Sequence, residues 1–223
     1  MSTKGPAFLR ARRPEHKQQR YAAILDAARD LATAGTVNEV SLADIAERVG
    51  MHKSALLRYF ETREEIFLRL AEIEWREWSG ALVAVLPAAG GEPDRVADAL
   101  GRSFADRPLF CQLLLHTPLT LERNVSIDVV RPFKLAVAKA IDDVSAALHA
   151  ALPALGPAES FELAATTGVA AAGMWQAAHP PPVIVALQQD IDCNVLALPD
   201  LAAVVTRFVR VYLAGLTSAG GPS

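Results

Sequence analysis

Between His52 and Tyr59 the chain reads H-K-S-A-L-L-R-Y. His52, Lys53, Ser54, Arg58 and Tyr59 can donate hydrogen bonds, and none of the eight residues is acidic. Such a row suits a partner rich in acceptors and negative charge: phosphate oxygens and base edges take donors from these side-chain types. Catalytic patterns are missing. The five histidines are scattered, with no H-x-x-x-H or E-x-x-H pair to set metal ligands on one helical face. Asp142 and Asp143 are adjacent, so their carboxylates diverge around a helix. Neither G-x-S-x-G nor a Walker-type glycine loop occurs. No cofactor and no metal are expected, and an all-α enzyme built from residues distant in sequence is the remaining catalytic alternative.

The donors need a scaffold, and the residues before them supply one. Ser41 is a helix N-cap, because its hydroxyl can accept from a free amide of the first turn. Asp44 places a carboxylate at the positive end of that helix. Leu42, Ile45, Ala46 and Val49 recur at helical spacing on one face, with Asp44, Glu47 and Arg48 on the other. Gly50 supplies the left-handed residue that ends such a helix. A second helix from about His52 is too short to be stable alone. Two short helices joined at a glycine, the second bearing donors, form a helix-turn-helix whose second helix enters the major groove. The bland alternative is a helical hairpin with Lys53 and Arg58 merely solvated.

The flanking residues resemble the TetR family of bacterial transcriptional regulators. The likeness lies in I-L-D-A-A-R-D-L (Ile24 to Leu31), Gly35, L-A-D-I-A-E-R-V-G (Leu42 to Gly50) and L-L-R-Y-F-E-T-R-E-E-I-F (Leu56 to Phe67). It covers the first third of the chain. Leu57 stands at the family's tyrosine and Arg63 at its lysine; the second change keeps the charge, the first removes a hydroxyl. The resemblance implies an all-α fold in two parts: a three-helix DNA-binding domain over residues 17–66, and a helical bundle over 67–223 that dimerises and binds an effector. It further implies a cytoplasmic homodimer, most often a repressor, on double-stranded operator DNA. An apolar small molecule would move the fourth helix and release the DNA. A helix-turn-helix regulator without such an effector is the alternative. The DNA-binding residues so assigned are Ser41, Ala43, His52, Lys53, Ser54, Leu57, Arg58, Tyr59 and Arg63. Leu57 either offers an apolar surface to a base or packs inward with Ile45 and Leu56.

Charge is divided along the chain in a way that fits. The net charge is −3, but residues 1–60 hold ten Lys+Arg against six Asp+Glu, and the remainder twelve against nineteen. A cationic module on an anionic body presents one face to a polyanion. Aromatics make up 6%, and Ala and Leu dominate, which favours helices. Cys111 and Cys193 lie far apart without motif spacing and fit a reducing compartment. No N-terminal apolar run suggests a secretory signal. Leu163 to Ala178, the longest nearly uncharged stretch, falls short of a membrane span and reads as a buried helix; no membrane partner is expected.

Read in order, residues 1–16 form a flexible basic arm, either a disordered tail or a segment that tracks a DNA groove. A first helix follows over Lys17–Ala34. The fourth, capped by Thr62, runs to about Leu86. Further helices cover Asp94–Ala105, Pro108–His116, a long one starting at Ser126 or nearer Pro132 and ending near Leu152, then Glu159–Ala178 and Asp200–Leu216. Trp78, Phe104, Phe110, Leu114, His116, Met174 and Trp175 are candidates for an effector pocket, against the alternative that each is simply core. Gln112 and Thr117 are further polar candidates there. Ala165, Gly168 and Ala172 on one helix, and Val204, Val205, Phe208 and Tyr212 on another, recur at three- and four-residue steps. The resemblance implies a dimer interface for both faces; the alternative is the core of the monomer.

Overall fold

A computed structural model describes residues 7–190 and 200–219 of the 223. Among them every regular element is helical. α1 spans Ala7–Ala34, so the helix begins ten residues before Lys17, and residues 7–16 are helical rather than a flexible arm. Its inward residues Ile24, Leu25 and Ala28 are buried. α2 is Leu42–Arg48 and α3 is Lys53–Leu56. α4 covers Arg63–Val85, with Thr62 accepting from the Glu65 amide at 3.1 Å. A tight turn over Leu86–Ala89 closes on Gly90 at φ 63°, a left-handed conformation that glycine adopts without strain.

The body continues with α5 (Pro93–Ala105) and α6 (Pro108–His116), the latter extended by a wide turn over Thr117–Leu121. α7 covers Ile127–Ala151, starting just after Ser126 and carrying Pro132 in its interior. α8 is Pro157–Ala178, opened by a proline in its first turn where no amide is missed. α9 is Pro182–Asp190 and α10 is Leu201–Ala219. The His179–Pro182 run does break the chain; Cys193 lies outside the described residues.

One core runs through both parts. Ile45, Leu56, Phe60 and Phe67 under the first three helices continue into Trp75, Trp78, Phe104 and Phe110 in the body. α4 is the shared member. Within the body α10 lies chiefly on α5, and α7 lies between α4 and α8. The α5–α10 crossing needs Gly101: a Cβ there would stand 2.2 Å from Thr206 Oγ1 and 2.7 Å from the Ala202 carbonyl. α8 is buried on one face only, since Phe161 and Val169 are exposed. α10 is apolar and long enough over Leu201–Ser218 to cross a membrane by composition alone. Its inward residues Leu201, Val205, Val209 and Leu213 are buried in the body.

Candidate nucleic-acid interface

Local rules build the turn between α2 and α3. The Asp44 amide donates to Ser41 Oγ at 3.2 Å, and the Ser41 amide donates to Asp44 Oδ2 at 2.7 Å, a reciprocal capping box. Hydrogen bonding of the Asp44 carboxyl to the Ser41 side chain, and then to the Ser41 amide, holds it below its ordinary range. At the other end the Gly50 amide reaches the Glu47 carbonyl at 3.0 Å and the Met51 amide reaches the Ala46 carbonyl at 2.8 Å. With Gly50 at φ 66°, this is the paired Schellman closure that turns the chain sharply into α3.

α3 is one turn long, and amide bonds from Arg58, Tyr59 and Phe60 carry its winding onward. Leu56 and Phe60 point inward, at 0% and 1% exposure, and Phe60 stacks on Tyr21 with centroids 4.6 Å apart. Their burial fixes the opposite side outward. His52, Lys53, Ser54, Leu57 and Arg58 are all exposed there, Leu57 at 46%, and Tyr59 stands half-buried at the edge. Ser41 and Ala43 are exposed at the start of α2. Leu57 therefore does not pack inward with Ile45 and Leu56.

Arg63, expected among the DNA-binding residues, has its guanidinium engaged within the chain. Its guanidinium donates to the carbonyls of Val37 and Val40 and meets Glu64 Oε1 at 3.3 Å, and it lies 4.7 Å over the Phe67 ring. A forked donor that satisfies two backbone acceptors holds the strand of chain leading into α2. Gln112, buried on α6, grips the same strand from the body side: its Oε1 accepts from the Val37 amide at 2.8 Å. Its amide group faces the Ala32 carbonyl at 3.5 Å. Gln112 and Thr117, read as polar groups for a ligand, are thus engaged with backbone, Thr117 Oγ1 donating to the Leu113 carbonyl at 2.6 Å. Two further ties join head and body. Ser126 Oγ donates to Glu61 Oε1 at 3.0 Å, and buried Glu74 pairs with Arg29 of α1 and, at 3.8 Å, with Arg107.

The effector candidates divide into two groups. Trp78, Phe104 and Phe110 are fully buried and pack on one another, with centroids 5.1 to 6.0 Å apart. His116 and Trp175 instead line a cleft of about 560 Å³ between the Thr33–Glu39 stretch and Pro180–Pro182. Burial, and then the Arg63 charge, lower the pKa of His116. The Trp175 indole stacks on His179 at 4.5 Å, and its Nε1 is buried without a hydrogen-bond partner. Leu114 and Met174 are half-buried against the core.

The interface candidates divide likewise. Val205, Ala172 and Gly168 are buried inside their own chain. Ala165, Val204, Phe208 and Tyr212 are half-buried, and the rings of Phe208 and Tyr212 stack at 5.5 Å. Phe161, Val169 and Val211, which the three- and four-residue pattern did not single out, are exposed at 48%, 77% and 67%. Their signal was present in the sequence as apolar residues on otherwise polar or small-residue faces. Among the described residues, no group of three His, Cys, Asp or Glu side chains is placed to hold a metal ion.

Comparison with known proteins bears on the family and the fold. Residues 24–70 match the family model described as bacterial regulatory proteins, tetR family, and residues 72–220 match the tetracyclin repressor-like C-terminal domain. No curated protein matches the chain. Solved structures share the fold at low identity. The fatty acid degradation regulator FadR from Bacillus halodurans is 16% identical over 96% of this chain and 98% of its own, with a TM-score of 0.56. Thermus thermophilus FadR, solved with lauroyl-CoA, is 18% identical over 88% and 94%, with a TM-score of 0.53. A possible TetR family transcriptional regulator from Streptomyces coelicolor A3(2) is 17% identical over 89% and 99%, with a TM-score of 0.57.

Proposed function

We propose that this chain, which belongs to the TetR family of bacterial regulatory proteins, is a cytoplasmic homodimeric repressor released from its operator by a small molecule bound in the body. The observation that carries the reading is the outward row on α3: His52, Lys53, Ser54, Leu57 and Arg58 exposed together on a rigidly capped turn, with no acidic neighbour among them. A two-fold dimer presents two such rows and reads a pseudo-palindrome with half-sites about one helical turn apart. Lys53, Arg58 and exposed Arg20 would anchor phosphates, Leu57 would meet a base, and Ser41 and Ala43 would approach the backbone.

α4 supports the release mechanism. Its first residue holds the strand before α2, and its far end lies in the body, so a ligand that tilts it there changes the spacing of the two α3 rows. Thermus thermophilus FadR was solved with lauroyl-CoA, which favours a ligand with a large apolar part. The half-buried and exposed residues of α8 and α10 would form a four-helix contact between protomers. The test is fluorescence anisotropy with duplexes from the DNA upstream of the protein's own gene, run at several salt concentrations. Saturable binding of two chains per site, with affinity falling steeply as salt rises, is expected. Affinity indifferent to salt, or to duplex sequence, would overturn the reading.

A further inference from the structure

A groove of about 500 Å³ lies between the C-terminal half of α4 and α5. Its floor is aliphatic: Leu82, Val85 and Ala99, with Val85 left 51% exposed. Its rim carries three guanidinium groups, Arg95, Arg102 and Arg107, and a single carboxylate, Asp106. Arg95 and Arg102 are seven residues apart, which sets them about 10.5 Å from each other along one side of α5. Among the described residues neither meets a carboxylate within ion-pair distance, whereas Arg107 is shared with Glu74 and Glu77 at 3.8 and 3.7 Å. This cluster sits on the part of the chain in which acidic residues exceed basic ones by seven. Locally reversed charge over an apolar trough selects a ligand with both properties.

We propose that the α4–α5 groove binds an amphipathic anion, an aliphatic chain ending in a carboxylate, with the chain along Val85 and Ala99 and the head between Arg95 and Arg102. The volume falls within the range of small-molecule sites. Guanidinium forks match carboxylate oxygens in paired bonds. The floor also holds a reporter: Ser103 Oγ donates to the Leu100 carbonyl at 2.8 Å and accepts from Trp78 Nε1 at 3.0 Å, so a ligand pressing on Ser103 perturbs a buried indole. The inference rests on reading the body as an effector-binding unit and names the class of effector.

The full-length protein is titrated with dodecanoate below its micelle concentration, reading tryptophan fluorescence and calorimetry. Dodecanol, butyrate and phosphatidylglycerol vesicles serve as separate arms. Dodecanoate should saturate at one per chain. Dodecanol, butyrate and Arg95→Gln/Arg102→Gln should each bind about ten-fold or more weakly than the wild-type pair. Ala99→Phe, which fills the trough, should abolish binding while the melting curve stays cooperative. Equal affinity for dodecanol, equal affinity in the double arginine variant, or binding to the vesicles but not to monomeric dodecanoate would each overturn the proposal. Operator affinity is measured in parallel: dodecanoate bound in the groove with unchanged operator affinity upholds the site and overturns the effector reading instead.

Discussion

At Leu57 the chain departs from its family's pattern, and the side chain stands in solvent while its neighbour Leu56 fills the core. Leucine has no donor for a phosphate; what it offers DNA is an apolar surface, such as a thymine methyl would meet. Leu57→Ala should cost about 1 kcal/mol of discrimination at one base pair, with the salt slope unchanged. Arg58→Ala should weaken binding to all sequences alike and flatten the slope by about one. The melting temperature of Leu57→Ala should stay close to wild type, as for other exposed positions; a lowered melting temperature with intact base preference would return Leu57 to a packing role. Arg63 makes the opposite forecast. Lysine keeps its charge but not the fork that reaches the Val37 and Val40 carbonyls. Arg63→Lys should therefore lower stability by about 1–2 kcal/mol in a thermal melt and leave the salt slope as it was. A changed slope with an unchanged melt would restore Arg63 to the phosphate contacts.

Elements were legible in the sequence to the degree that short-range chemistry makes them. Ser41, Asp44 and Gly50 act within ten residues of one another, and the cap, the helix and the left-handed stop all stand where those residue types demand. Pro108 and the His179–Pro182 run bounded their helices for the same reason. The partners of Arg63 lie 23 and 26 residues away, and that of Gln112 lies 75 away, so periodicity could not show that both side chains are used up on one strand of backbone. The same limit divided the α10 residues. A stripe at three- and four-residue steps looks alike whether it faces the core or a second chain, and only packing on α5 separates buried Val205 from exposed Val211. If the outward faces of α8 and α10 pair two protomers, Val211→Glu should place a desolvated charge at that contact. Sedimentation should then give half the wild-type mass with the helical circular dichroism retained, since Val211 contributes little to its own chain's core. A stable dimer of that variant would move the interface elsewhere.

Across the whole molecule, head and body meet through few polar ties, and the one at Val37 is made from both sides. Its carbonyl is taken by Arg63 at the start of α4, and its amide by Gln112 on α6, four residues ahead of the Ser41 cap. On the proposed release mechanism, a displacement of α6 or α4 in the body would pass through these bonds to the segment that leads into α2 and, through the Gly50 turn, to α3. Coupling between two sites is a free energy, commonly about 1–3 kcal/mol, and it is reciprocal: a ligand weakens operator binding by the factor with which operator weakens ligand binding. Gln112→Met keeps the volume of the buried side chain but leaves the Val37 amide without its acceptor. The Val37 amide should then exchange its hydrogen faster by nuclear magnetic resonance. The factor measured with dodecanoate and operator should fall toward one in both directions together, while each ligand alone binds nearly as before. Were Gln112 only a packing residue, stability would fall and the coupling factor would survive; a variant with a fast-exchanging Val37 amide and an undiminished factor would assign the transmission to α4 and the Glu61–Ser126 tie instead.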